Sequence, residues 1–176
     1  MYEEDVNVRN HFLRTRGDSF KQVLIPIIIV VLFLLSFKIV TTVAGTSTPL
    51  VVVSGNSMLP TLYHGDIVII YKPDPWHIKE GDIIVYRSTR GELVIHRVVR
   101  VAENSPSNKC QPVCYITKGD NNRLEDPWIG LQPQSGVSYS DVLGEVLTIK
   151  IRLGYFNVDA PLRIPYLGLL SFILKR

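Results

Sequence analysis

Three stretches of the sequence hold side chains that hydrolytic chemistry uses. The first is Ser54-Gly55-Asn56-Ser57, which directly follows three valines at positions 51–53. A turn at the end of a strand exposes a serine hydroxyl together with backbone N–H groups, and acyl transfer needs both. The same composition is ordinary for a turn without catalytic function. A serine here is therefore a candidate nucleophile if a base lies near it.

The second stretch contains His96, in a run of β-prone residues from Leu93 to Arg100. Side chains alternate between the two faces of a strand, so Val94, His96 and Val98 share one face. An imidazole between two valines is shielded from water and is a candidate general base. The same position also suits a hydrogen-bonded histidine of the core.

The third stretch is Thr117-Lys118-Gly119-Asp120-Asn121-Asn122, followed by Asp126. A carboxylate next to an imidazole fixes its tautomer, so both aspartates are candidates for that task. A turn of this composition also forms without a function, with Asp120 capping it through an Asx bond. The spacing leaves open which aspartate faces His96.

The elements that would position these residues begin with an apolar run at residues 23–44, interrupted by Lys38. A helix of 22 residues is about 33 Å long and crosses a hydrocarbon layer of roughly 30 Å. Positive residues are more numerous before this run than close behind it, at Arg9, Arg14, Arg16 and Lys21. The positive-inside rule then predicts a cytoplasmic N-terminal segment at 1–22 and a transmembrane anchor at 23–44. The alternative is a signal peptide cleaved near Ala44.

Short runs rich in Val, Ile and Tyr follow, each bounded by turn residues, and they predict a β domain at 46–157. The predicted strands are 50–53, 66–71, 82–86, 93–101, 114–118 and 141–151. An apolar segment at 160–176 is broken by Arg163 and Pro165. It is too short to span a membrane on its own, and we expect an interfacial or partly inserted helix.

Composition excludes several classes of protein. A chain of 176 residues with 46% hydrophobic and 20% charged residues has room for one domain and an anchor, and is neither disordered nor a multi-span transporter. The net charge of +3, without a basic run, argues against a nucleic-acid partner. Two cysteines, Cys110 and Cys114, are too few for a disulfide framework or a four-cysteine zinc site, and form either one local bridge or two free thiols. No cofactor and no metal are predicted.

The order of the motifs resembles that of the signal peptidase I family, in its archaeal and endoplasmic-reticulum type. The bacterial branch of that family has a lysine base where this sequence has His96. The matching stretches, in chain order, are Ser54-Gly55-Asn56-Ser57-Met58-Leu59-Pro60-Thr61-Leu62, Gly65-Asp66-Ile67-Val68, Gly81-Asp82-Ile83-Ile84-Val85-Tyr86, Ile95-His96-Arg97-Val98, Thr117-Lys118-Gly119-Asp120-Asn121-Asn122 and Asp126.

This resemblance implies a mainly β, signal-peptidase-like catalytic domain preceded by one transmembrane helix. It makes Ser57 the nucleophile, His96 its general base, Asp126 the residue that orients the imidazole and Asp120 a supporting carboxylate. The backbone N–H of Ser57 would hold the oxyanion, with a second donor near residues 54–56.

The implied activity is that of a membrane-bound serine endopeptidase. It would remove signal peptides at the outer membrane face, after small residues at the first and third positions before the cut. The implied partners are signal peptides of secretory precursors, the lipid bilayer and the protein translocation channel. The implied location is the archaeal plasma membrane, or alternatively the endoplasmic reticulum membrane. A non-catalytic β binding module anchored in the membrane is the competing hypothesis, and it would not need Ser57, His96 and the aspartate pair together.

Overall fold

A computed structural model of the protein describes residues 2–103, 112–153 and 156–170. The chain divides into two compact units, Met1–Val40 and Thr41–Arg176. The first is helical and the second is built from β-strands. The predicted fold class, mainly β with one apolar N-terminal helix, is confirmed.

The helix, α1, extends over Tyr2–Ala44 and contains the predicted anchor. Its part Lys21–Ala44 is long and apolar enough to cross a membrane. The large apolar side chains between Val23 and Val43 are exposed all around the helix. A helix of a water-soluble domain would instead bury one apolar stripe against its core.

The second unit is dominated by an antiparallel sheet of eight strands. Seven of them follow the spatial order β1-β2-β7-β3-β4-β5-β6, and β10 pairs with β2. A separate two-stranded sheet joins β8 to β9. The strands are β1 Leu50–Val52, β2 Ile67–Tyr71, β3 Ile83–Arg87, β4 Leu93–Glu103, β5 Val113–Lys118, β6 Val137–Ser138, β7 Val142–Val146, β8 Thr148–Leu153, β9 Phe156–Pro161 and β10 Arg163–Ile164.

Strand β3 lies between two hydrophobic clusters and is buried on both faces. Ile83 and Val85 belong to one cluster, together with Met58 and Leu62. The alternate residues of β3, Ile84 and Tyr86, belong to the other cluster. The register pairs Ile84 with His96 on β4, and residues paired across an antiparallel ladder share a face. The imidazole is therefore on the same side of the sheet as Tyr86.

Two of the predictions for the C-terminal third need correction or completion. The predicted strand 141–151 is two strands, because β7, which pairs with β2, ends at Val146, and β8, which begins at Thr148, pairs with β9 instead. Alternation alone does not reveal such a change of partner, since both strands are β-prone. In the segment 160–176, β10 and a turn at 165–168 precede a helical conformation that begins at residues 169–170. The rest of the predicted C-terminal helix lies outside the described residues.

Candidate active site

A loop at residues 54–64, here called the serine loop, connects β1 to β2 and carries Ser57. Its two ends are closed by backbone hydrogen bonds, from Val53 N–H to the Asp66 carbonyl at 2.8 Å and from Gly65 N–H to the Val53 carbonyl at 2.9 Å. Met58 and Leu62 within the loop are buried in the core. Because Val53 before the loop and Met58 and Leu62 after Ser57 pack in the same hydrophobic cluster, the hydroxyl has a defined position.

Three of the predicted residues form a chain of hydrogen bonds. The Ser57 Oγ lies 3.0 Å from Nε2 of His96. The other ring nitrogen, Nδ1, lies 2.6 Å from Oδ2 of Asp126. His96 is 3% exposed and Asp126 is completely buried. A serine, an imidazole and a buried carboxylate in this order are the groups that nucleophilic acyl transfer requires.

The Asp126 carboxylate is held by two further hydroxyl groups. It begins a 3-10 turn, Asp126–Ile129, and its Oδ2 accepts hydrogen bonds from Tyr86 Oη at 2.9 Å and Thr117 Oγ1 at 2.5 Å. Burial raises the pKa of Tyr86 above its ordinary value, which keeps the phenol protonated as a donor. Within the described part of the chain, Oδ1 has no hydrogen-bond partner. Asp126 Oδ2, the oxygen that faces His96, therefore has three hydrogen-bond partners, on His96, Tyr86 and Thr117.

Asp120 belongs to a neighbouring network. Its two carboxylate oxygens accept hydrogen bonds from the Arg97 guanidinium at 2.8 and 2.7 Å, and Thr61 Oγ1 donates at 2.5 Å. Burial opposes the ionisation of Asp120, but the hydrogen bonds from Arg97 and Thr61 outweigh it and lower the pKa of this carboxyl below its usual value. Asp120 therefore joins Thr61 of the serine loop to Arg97 of β4. Arg97 is the residue that follows His96.

The turn at residues 119–122 lies directly against the serine and the histidine. A Cβ at Gly119 would be 2.9 Å from His96 Nε2 and 2.7 Å from the Ser57 carbonyl oxygen. The next residue but one, Asn121, donates its backbone N–H to that carbonyl at 2.8 Å and its side-chain amide to the Asn56 carbonyl at 3.2 Å. A residue with no side chain at 119 is what permits this close approach.

A cleft of about 700 Å³ begins at Ser57 and His96. Apolar side chains of four strands form much of its wall: Val51, Val52, Val85, Val94, Ile95 and Leu143. Two of the three valines that precede the serine loop therefore line the cleft, whereas Val53 is buried in the core.

The sequence did not predict which side chains form hydrogen bonds with Asp126. Tyr86 and Thr117 lie 40 and 9 residues before Asp126, and hydroxyl side chains on strands carry no spacing signal for such a contact. His64 accepts a hydrogen bond at Nδ1 from the Gly55 N–H at 3.0 Å. The register of β3 against β4 brings Tyr86 to the same face as His96, and only the assembled sheet reveals it.

The structure also bears on the two cysteines and on metal binding. Cys114 is in a disulfide, and the sequence holds one other cysteine, Cys110, which lies outside the described residues. Over the residues described, no group of three or more His, Cys, Asp or Glu side chains is placed to hold a metal ion.

Comparison with known proteins finds similarity to peptidases. Residues 33–108 match the model of the Peptidase S24-like family. The signal peptidase complex catalytic subunit SEC11 of Schizophyllum commune is 29% identical over 156 residues, which cover 80% of this chain and 81% of that protein. The subunit SEC11C of Homo sapiens is 28% identical over 159 residues, covering 89% and 72% of the two chains. These matches support a serine peptidase of the signal peptidase I type.

Proposed function

We propose that this chain is a membrane-bound endopeptidase that removes N-terminal signal peptides from secretory precursors. The observation that carries the proposal is the hydrogen-bonded series Ser57, His96 and Asp126, whose serine and histidine line a cleft. The printed names of the relatives, catalytic subunits of the signal peptidase complex, support the same substrate class. A pure binding module would have no need for these three groups in hydrogen-bond order.

In the proposed mechanism, Ser57 Oγ attacks the scissile carbonyl carbon while His96 Nε2 accepts its proton. Asp126 accepts a hydrogen bond from the Nδ1–H of His96, which leaves Nε2 unprotonated as the base, and the carboxylate stabilises the imidazolium that forms. The imidazolium then protonates the leaving amine, and the Ser57 ester is hydrolysed by water activated by the same imidazole. Asp120 has a supporting role, since its bonds to Arg97 and Thr61 hold the surrounding elements together.

The oxyanion would be stabilised by the backbone N–H of Ser57. Among the described residues this amide donates no hydrogen bond, so it is available to the developing negative charge. The Gly55 amide is not a suitable second donor, because it donates to His64. This leaves the Ser57 amide as the principal donor of the proposed site.

The substrate would bind as an extended strand in the cleft beside β1, which ends the order of the main sheet. Strand addition presents alternate side chains to the wall of the cleft. Val51 and Val94 line the same cleft as Ser57 and His96, and branched side chains there would favour small residues at the first and third positions before the cut. We therefore propose cleavage after small residues at these positions.

The proposed topology has residues 1–22 in the cytoplasm, the anchor at 23–44 across the membrane, and the catalytic domain at 46–157 on the outer face. Signal peptides expose their cleavage sites at that face, so a serine 13 residues beyond Ala44 meets them close to the bilayer. An archaeal plasma membrane is the proposed location, and the protein translocation channel is the proposed neighbour.

The test is cleavage of a purified secretory precursor by the full chain in detergent. We expect the unmodified chain to release the signal peptide and the Ser57→Ala variant to release none. A Ser140→Ala variant is the matched control, because Ser140 is an exposed serine that hydrogen-bonds to Ser138 and has no part in the proposed chemistry. Processing that persists in Ser57→Ala would contradict the proposal.

The two aspartates are expected to differ sharply when each is changed to asparagine. Asp126→Asn should lower kcat by about 10⁴-fold, because an amide at this position favours the wrong imidazole tautomer. Asp120→Asn removes a half-buried pair with Arg97 and should cost on the order of tenfold, the equivalent of about 1.4 kcal/mol. Steady-state rates with the same precursor measure both. A larger loss in Asp120→Asn, with the fold retained, would reverse the two assignments.

A further inference from the structure

A second cavity borders the cleft that holds Ser57 and His96. Its volume is about 310 Å³, and we call it the loop cavity. It is lined by Asn121, Asn122, Arg123, Leu124 and Ile129. In the part of the chain that the structure describes, Asn122 is the one residue that lines both cavities. The mechanism proposed above takes place in the cleft and gives the loop cavity no role.

The side-chain amide of Asn122 is not used by the fold. The backbone N–H of Asn122 donates to the Gly119 carbonyl at 2.9 Å, but among the described residues its side chain makes no hydrogen bond. Asn122 is half-buried. An amide that loses part of its hydration without gaining a protein partner is available to a ligand.

This amide lies beside the imidazole of His96. A Cβ on Gly119 would be 2.8 Å from Asn122 Nδ2 and 2.9 Å from His96 Nε2. Because Gly119 has no side chain, that position is empty of protein atoms. The two nitrogen atoms therefore border the same small space at the junction of the cleft and the loop cavity.

The proposed mechanism indicates which part of a substrate would reach this junction. His96 Nε2 gives its proton to the leaving amine, which is the main-chain nitrogen of the first residue after the cut. That nitrogen must come within about 3 Å of Nε2 for the transfer. The carbonyl of the same residue follows two bonds further along the peptide, and the Asn122 amide is a hydrogen-bond donor at this place. The segment after the cut would then pass over Asn122 into the loop cavity.

The wall of the loop cavity carries a positive charge on Arg123. This side chain is exposed, and in the described ranges it makes no ion pair and no hydrogen bond. The nearest acidic residues in sequence are already paired. Glu125 pairs with Arg100. Asp120 pairs with Arg97. An unpaired guanidinium at this wall attracts an acidic side chain and repels a basic one.

We propose that the loop cavity is the subsite for the segment of the precursor that follows the cut. In this subsite Asn122 Nδ2 donates a hydrogen bond to the main-chain carbonyl of the first residue after the cut, and Arg123 favours acidic side chains at the first two residues. The ligand is an extended peptide, the amino-terminal end of the processed protein. This inference rests on the proposed peptidase function and extends it to the leaving side of the scissile bond.

The role of Asn122 is tested with two substrates that differ only after the cut. One is a purified precursor, and the other is the same signal peptide with an aminomethylcoumarin group in place of everything after the cut. Asn122→Ala should lower kcat/KM for the precursor about tenfold, the effect of one lost hydrogen bond. The coumarin substrate should be cleaved at an unchanged rate, because no peptide carbonyl follows its scissile bond. An equal loss on both substrates would mean that Asn122 acts through Ser57 or His96, and its place in the subsite would be wrong.

The role of Arg123 is tested by exchanging charges. Two precursors share one signal peptide and carry either two aspartates or two lysines directly after the cut. We expect the full chain in detergent to prefer the aspartate precursor by about threefold in kcat/KM, the size of an exposed ion pair, and Arg123→Glu to reverse this preference. Lys79→Glu is the matched control, because Lys79 is an exposed cation that lines neither cavity, and it should keep the original preference.

The two precursors also separate failure of the subsite from failure of the peptidase function. Equal kcat/KM for both precursors, in the unmodified chain and in Arg123→Glu, would overturn the proposed selectivity and leave signal peptide cleavage standing. A chain that cleaves neither precursor would refute the proposed function, and the subsite with it.

Discussion

Ser57→Ala and His96→Ala are each expected to reduce kcat for precursor cleavage by five to six orders of magnitude, roughly the loss seen when the members of a serine triad are removed. In the proposed mechanism, the hydroxyl is a weak nucleophile until His96 Nε2, 3.0 Å away, accepts its proton. Each residue needs the other in the proposed mechanism, because the proton moves from the hydroxyl of Ser57 to the imidazole of His96. The double variant Ser57→Ala, His96→Ala should therefore be no slower than either single variant.

The measurement is the initial rate of signal peptide release from a purified precursor, with circular dichroism to verify that each variant is folded. His77→Ala is the matched control for the histidine, because its side chain is 73% exposed, and it should cleave at the normal rate. Losses that add up in the double variant would mean that the two residues act independently, and the proposed mechanism would then be wrong.

Gly119→Ala should lower kcat by about a hundredfold or more, since displacements near 1 Å at a reacting group have effects of that size. The new methyl group would lie 2.9 Å from His96 Nε2 and 2.7 Å from the Ser57 carbonyl oxygen, closer than van der Waals contact allows. Either the imidazole or the serine loop must shift, and the 3.0 Å contact between them is lost.

Gly91→Ala separates this effect from a general loss of stability. Gly91 has a positive φ of 82°, and a Cβ there would meet no atom within 4 Å. Alanine at this turn strains the backbone by about 1 kcal/mol or more without touching Ser57 or His96, so kcat should stay close to normal. Equal losses of kcat in the two variants, or a fully active Gly119→Ala, would refute the packing argument.

The sequence by itself determines the main elements of this protein. An apolar run long enough for a bilayer and short β-prone runs between turn residues are local patterns, so the helix and most of the strands of the main sheet follow from them. Local patterns do not predict the break between β7 and β8 at Leu147. The two strands are separate because each pairs with different neighbours, and strand pairing depends on residues that are distant in the chain. The same holds for β10, whose two residues form a strand only because β2 lies beside them.

For the site, the residue types and their order in the chain predict which side chains are candidates. The sequence cannot rank Asp120 against Asp126, because both follow β5 within a few residues and either could face His96. The tertiary structure distinguishes them. The Arg97 guanidinium, on the opposite face of β4 from the imidazole, pairs with Asp120, while the buried hydroxyls of Tyr86 and Thr117 hold Asp126 against Nδ1. A carboxylate takes the position where donors compensate for its lost hydration, and those donors come from strands that only the folded sheet brings together.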